Sequence, residues 1–492
     1  MKKLVALLLV LAMMLTVLVA CKGNKDPQDE PTKKPSKKPT QGEDEFDITE
    51  ILPESLTYGD KEVVICVRGD TDNVWEIGLL EDDGQPLSAE LYDRTKRTEE
   101  RLNVSLATDQ VEGWASYNNA IGKIRNSIMY QEHKWDIVVG WSPRIPQIAA
   151  EGLYYNLLNF DYFDASNIWW SQSLAKELTV NGQMFMASGD LSVNYLTGAH
   201  AVFFNQTLAK AMEMDYSTFY KTVSEGKWTF NELYNLSKDA YVDKDVDQYG
   251  LLIQSTMLQA FYTAAGVNMI PNDGENRLEF KVNTDSLEQI WANLKVLLDA
   301  PSTVDCYTDA KGISAADKYF VEGNALFMVH RLGALKSFTT MTDGFGVLPM
   351  PKYEEAQPSY YTQLHSCELW SIPTDAKDPE MSAAIMTSMG YDSHEVVLEP
   401  HFEKLLKTRY VKDSESGYMI DTIYYNIYMN FDSIYNEVLQ PGNDFSNKNL
   451  MPMFVFGALA NGTYGSVVQW WDSNQEGLKE ELKSILKGFY GE

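Results

Sequence analysis

Hydrophobic and polar positions alternate in three regimes along the chain. Residues 4–19 are almost wholly apolar, broken only by Thr16. Residues 22–47 then hold almost no apolar side chain before Phe46. Beyond them, short β-branched runs alternate with stretches of helical period. Residues 61–67 (KEVVICV) predict a strand that ends at the polar loop Arg68, Gly69, Asp70. Ser88 is placed to cap a helix over 89–102, and 104–107 predicts a second strand. Tyr117, Ile121, Ile124 and Ile128 fall on one face of another helix, which leads to a third strand over 135–140, stopped by Trp141, Ser142 and Pro143. Strand, helix, strand, helix, strand predicts an α/β layer on a mostly parallel sheet. Ligands of such sheets sit beyond the carboxyl ends of the strands, which points to 68–70 and 141–144.

The middle of the chain is richer in helical period. Leu287, Ile290, Trp291, Leu294, Leu297 and Leu298 form an apolar stripe too broad for a free amphipathic helix. Residues 325–329 and 345–348 predict buried strands, the second closed by Pro349 and Pro351, and 369–372 predicts another. A helix opened by Asp378 and Pro379 follows it. The last helix carries Leu478, Leu482, Ile485, Leu486 and Phe489 on one side. No internal repeat is present.

The amino-terminal pattern adds a destination. Lys2 and Lys3, the apolar run and the small Ala20 make a signal peptide over 1–20. The run is shorter than the ~20 residues a spanning helix needs. Leu18, Val19, Ala20 and Cys21 resemble the lipobox of bacterial lipoproteins, which implies cleavage before Cys21 and diacylation of its sulfur. Two acyl chains suffice for stable anchoring. Residues 21–55 then read as the lipidated cysteine and a disordered tether, since Lys, Pro, Asp, Glu, Thr and Ser cannot bury a core. The chain is expected on the extracytoplasmic face of a bacterial cell membrane of Gram-positive type, held there by lipid alone.

Composition narrows the body. With 44% hydrophobic and 12% aromatic residues it is globular, and its length exceeds what one core usually serves, so two lobes are expected. A net charge of −29 argues against nucleic acid and against an anionic ligand drawn in by a global field. Cys66, Cys306 and Cys367 are too few for a disulfide framework and lack metal-ligand spacing.

Several segments, in order, resemble family 1 of the extracellular solute-binding proteins, the maltose-binding-like receptors of ABC importers. They are Tyr92, Asp93, Arg94, Thr95 through Glu99, Glu100, Arg101, Leu102, Asn103, Val104; Ala187, Ser188, Gly189, Asp190, Leu191; Val202, Phe203, Phe204, Asn205; Gly226, Lys227, Trp228, Thr229; and the run FGVLPMPKY over 345–353. The resemblance implies a type II periplasmic-binding-protein-like fold, with two α/β lobes, each a mostly parallel sheet flanked by helices, and a cleft between them. Carried onto this chain, lobe 1 takes 56–198 plus 361–390, and lobe 2 takes 199–360 plus 391–492. It also implies a monomer that passes a mono- or oligosaccharide to ABC permease subunits, with no cofactor and no catalysis.

Nine residues are candidates for the ligand. Trp141, at a strand end, offers a flat apolar face to a sugar ring, and Ser142 follows it; a core-packed indole is the competing reading. Trp75 shares that rationale. Arg68 and Asp70 are placed for charge-assisted hydrogen bonds to hydroxyls. Asp190 matches the family's Gly-Asp pair, and Arg331 stands where relatives present second-lobe cleft residues, without the tryptophan some sugar binders carry there. Tyr361 and His365 lie near the return crossing. Asp239, Asp243, Asp245 and Asp247 suggest the start of a calcium loop, but Gly250 comes too late for the turn, so no metal is expected. His394 and Glu395 lack the second histidine of a zincin, and neither G-x-S-x-G nor a P-loop occurs. A surface glycan hydrolase and a sensory or scaffold receptor without transport are the alternative functions.

Overall fold

The computed structural model describes residues 46–79, 87–240, 248–254, 257–306, 313–398, 400–401, 413–440 and 448–492. The signal peptide, Cys21, most of the tether, and Asp243, Asp245 and Asp247 lie outside the described residues. Among those described, no helix is long and apolar enough to cross a membrane.

The strands, in chain order, are β1 (Lys61–Arg68), β2 (Val104–Val111), β3 (Ile137–Trp141), β4 (His200–Asn205), β5 (Tyr249–Ile253), β6 (Thr303–Asp305), β7 (Ala325–Arg331), β8 (Phe345–Pro349) and β9 (Glu368–Ser371). They form two mixed sheets in an α/β architecture, in the orders β2-β1-β3-β9 and β6-β5-β7-β4-β8. In the first, β1 runs parallel to β2 along its whole length and parallel to β3, while β9 is antiparallel to β3 with Glu368 opposite Trp141. In the second, β5 is parallel to β6 and β7, but β4 is antiparallel to both β7 and β8. The first sheet is therefore mostly parallel and the second evenly mixed. All five residues of β3 and all six of β4 are buried, as befits strands covered on both faces.

Local chemistry explains where the pattern and the structure part. β2 runs past Ala107 to Val111 through the polar Thr108, Asp109 and Gln110. It lies at the sheet edge, where polar side chains are tolerated, and Asp109 accepts a hydrogen bond from Trp135 Nε1 at 2.8 Å. The helix Ser88–Leu102 is not capped by Ser88. Leu87 occupies the cap position at φ 71° without a side-chain bond, and Ser88 Oγ instead accepts from Trp75 Nε1 at 3.0 Å. Asp378 does cap the helix Pro379–Asp392, accepting from Met381 N at 3.2 Å. That helix packs on Ser88–Leu102. The last helix, Val467–Tyr490, packs against both Pro146–Ala150, just after β3, and Thr284–Leu298, beside the second sheet. Trp169, Trp170 and Trp470 are core residues. Cys66, Cys306 and Cys367 are buried and joined by no disulfide among the described residues, and burial pushes the Cys367 thiol up to about 12.

The chain leaves the first sheet between β3 and β4 and returns between β8 and β9. The two crossings lie side by side. His200 N donates to Gln363 O at 3.0 Å and His365 N to Gly198 O at 2.9 Å. A third segment joins them, with Thr362 N donating to Asn426 O at 2.8 Å and Tyr428 N to Thr362 O at 2.9 Å. A Cβ on Gly198 would fall 2.7 Å from Ser366 O, so only glycine allows this approach. Few connections at one edge are what a hinge requires.

Candidate functional site

The carboxyl ends of β1 and β7 face one cavity of about 350 Å³. That volume lies in the ~300–1,000 Å³ range of small-molecule sites. Each sheet supplies one wall, and residues beside the crossings supply the floor.

The first wall is built on Arg68, the last residue of β1. Its Nε lies 2.9 Å from Asp70 Oδ2 and its Nη2 3.8 Å from Glu368 Oε1. The guanidinium carbon sits over two rings, 5.8 Å from the centroid of Tyr117 and 5.7 Å from that of Trp141. Those rings meet edge to face at 6.1 Å, and Trp141 N donates to the Tyr117 hydroxyl oxygen at 3.0 Å. Such stacking desolvates the cation on two sides and fixes its direction. Burial and the nearby Glu368 charge push the Tyr117 hydroxyl well above the usual phenol range, so it stays protonated.

The second wall is the end of β7 and the turn after it. His330 Nε2 stands 3.3 Å from Asp317 Oδ1, while Ser337 Oγ donates to Asp317 Oδ2 at 3.2 Å. Burial holds the His330 imidazole below its ordinary value despite Asp317, so it is neutral at pH 7. Burial also lowers Arg331, with Asp317 opposing the shift. Lys336 completes this wall from an exposed position. On the floor, Thr197 Oγ1 donates to Asn194 Oδ1 at 3.4 Å, and Asn194 Nδ2 to Glu76 Oε2 at 3.1 Å. Among the described residues, no aromatic ring other than the His330 imidazole lines the cavity.

Of the nine candidates, Arg68, Asp70 and Arg331 are brought together here. The others stand elsewhere. Trp141 is buried beneath Arg68, so its face is already covered. Ser142 is a strand extension, exchanging hydrogen bonds with Cys367 through its N and Oγ at 2.9 and 3.0 Å. Trp75 is bound to Ser88. Tyr361 packs on Tyr428 at 5.1 Å, and the His365 ring lies 6.1 Å from that of His200. Glu368, Asp317, His330, Lys336, Asn194 and Thr197 line the cavity without having been singled out. Only the first had a usable signal, as an acid directly preceding the apolar run 369–372.

Asp190 belongs to a separate buried cluster. It accepts from Tyr424 OH at 2.8 Å and contacts His394 Nδ1 at 2.7 Å, beside a void of about 20 Å³. Burial disfavours the His394 imidazolium, but the hydrogen bond and charge of Asp190 outweigh it and raise the group above its ordinary value. A raised folded-state value adds stability that is complete below the unfolded value of about 6.5 and is lost as pH rises through the folded one. Melting temperatures between pH 5.5 and 8.5 are therefore expected to show a step that His394→Gln removes. An unchanged step in the variant would assign it to another group.

No protein-family model and no curated protein matches this chain. Solved structures do. A cyclo/maltodextrin-binding protein complexed with maltotetraose aligns over 88% of this chain and 97% of its own, at TM-score 0.55 and 12% identity. The chain has the fold of the extracellular solute-binding proteins. A protein of that description from Staphylococcus aureus, in complex with maltose, aligns over 88% of this chain and 99% of its own at TM-score 0.54 and 11% identity. Maltose-bound MalE3 of T. maritima aligns over 87% and 99% at TM-score 0.50 and 13% identity.

Proposed function

We propose that the chain is a lipid-anchored substrate-binding protein that captures a mono- or oligosaccharide and delivers it to an ABC importer. The observation that carries this reading is a cavity whose opposing walls are Arg68 on one sheet and Arg331 on the other, with the two crossings between the sheets lying side by side. Ligand contacts made by both walls are complete only when the lobes close, so ligand selects the closed form and a permease distinguishes loaded from empty receptor by shape. The lobes are taken as 56–198 plus 361–390 and 199–360 plus 391–492. The likeness to proteins solved with maltose or maltotetraose supports a saccharide. Arg68, Asp70, Glu368 and Arg331 suit its hydroxyls, since charged partners make the stronger hydrogen bonds. Cys21 carries the anchor, and the tether lets the body reach permease subunits in the same membrane.

Calorimetry of the folded body against a saccharide panel is expected to give one-to-one binding with no product formed on prolonged incubation. Heat with peptides or amino acids alone would overturn the ligand class. Glycan cleavage would favour the hydrolase. In the producing cell, Cys21→Ser is expected to release the protein from the membrane fraction.

A further inference from the structure

We infer that the preferred ligand is a saccharide bearing an anionic group, a carboxylate or a sulfate, which the second lobe holds through Arg331 with Lys336 beside it. This rests on the receptor reading above and names the class of sugar it takes.

On the first wall Asp70 and Glu368 share the one cation Arg68, and on the second Asp317 accepts from Ser337 Oγ and faces the neutral His330. The cations of the second wall are not matched in the same way. Among the described residues the Arg331 guanidinium makes neither a hydrogen bond nor an ion pair, and the charge of Asp317 acts on it from a distance, although the side chain is partly buried at the end of β7. Lys336, on the same wall, also has no ion pair among the described residues. A partly desolvated guanidinium without an acceptor is costly, and its planar fork matches a carboxylate or sulfate with two parallel bonds. An anionic group entering between Arg331 and Lys336 supplies that acceptor.

The lining supports the same conclusion from the opposite direction. Neutral sugars are well held by a flat apolar surface against their CH faces, but among the described residues no indole lines this cavity, and Trp141 is covered by Arg68. Recognition here is polar and charged. The net charge of −29 does not oppose it at equilibrium, because charges beyond about 8 Å are largely screened at physiological ionic strength. It slows association instead, so the on-rate for an anionic ligand should rise with added salt.

The test uses uronate di- and trisaccharides, the same chains with carboxyl groups reduced to primary alcohols, and sulfated disaccharides with their desulfated counterparts, each titrated into the protein. At least tenfold tighter binding of either anionic set over its neutral counterpart is expected, and which set binds decides between carboxylate and sulfate. Arg331→Gln should bring the anionic affinity down to that of the neutral chain. Lys336→Gln, on an exposed side chain that folding does not depend on, should lower the preference about threefold. Equal or tighter binding of the neutral chains would overturn this inference and leave the saccharide receptor standing. No binding by any saccharide would overturn both.

Discussion

Arg94→Ala is expected to destabilise the protein by about 3–5 kcal/mol, the range for removing one member of a buried, hydrogen-bonded charge cluster. Arg94 is fully buried in the helix Ser88–Leu102. Its Nη2 donates to Glu76 O at 2.6 Å and Ile77 O at 2.9 Å, and its Nη1 reaches Leu191 O at 3.4 Å and Ser393 Oγ at 3.3 Å. Burial brings its guanidinium down to about 10, against the pull of Glu76 and Asp392, so it remains charged. One side chain thus ties the segment after β1, the first crossing and the end of the helix Pro379–Asp392. Alanine would take the donor from the Glu76 and Leu191 carbonyls, while Ile77 O keeps the Thr95 hydroxyl, and would leave Glu76, 2% exposed, without its counter-charge. Close approach around it is built in: a Cβ on Gly78 would lie 2.3 Å from Leu91 O. Arg94→Lys should recover less than half the loss, because a single ammonium cannot serve a fork of acceptors. Urea denaturation with a midpoint unchanged in Arg94→Ala would show that the cluster contributes nothing net.

Arg68→Met should weaken saccharide binding by about 3 kcal/mol, roughly a hundredfold. Methionine keeps an apolar body against Tyr117 and Trp141, so the fold should hold while the donors are lost. It also leaves Glu368, 4% exposed in its side chain, facing the ligand without its cation. An affinity within threefold of the unsubstituted protein would place the ligand elsewhere.

The elements of the fold were largely legible because their signals are local. The run KEVVICV, the period of Tyr117 to Ile128 and the Asp-Pro helix start each form where the pattern puts them. Misreadings arose where a distant partner decides. Ser88 looks like a cap but serves Trp75, and the polar end of β2 is a strand because β1 pairs with it. Of the cavity lining, only the strand ends were legible, which is why Arg68, Asp70 and Arg331 are the candidates that fall there. Trp141 misled for a physical reason: an indole at a strand end suggests a sugar platform, but whether another cation occupies its face depends on side-chain packing between β1 and β3. Asp317 and Asn194 reach the cavity from a helix and a short turn, and nothing in their neighbours marks them. Even the segment that carries Arg94, part of the family resemblance, holds the lobe together rather than touching the cavity.

In the receptor we propose, a saccharide lies between the two sheets and is held by both. A crystal structure grown with the tightest-binding saccharide tests it most directly. Density for the sugar in hydrogen-bond contact with Arg68 and Arg331 at once, with the lobes closed over it, is the predicted result. A sugar bound outside this cavity, or touching one wall only with the lobes as in the unliganded protein, would contradict it.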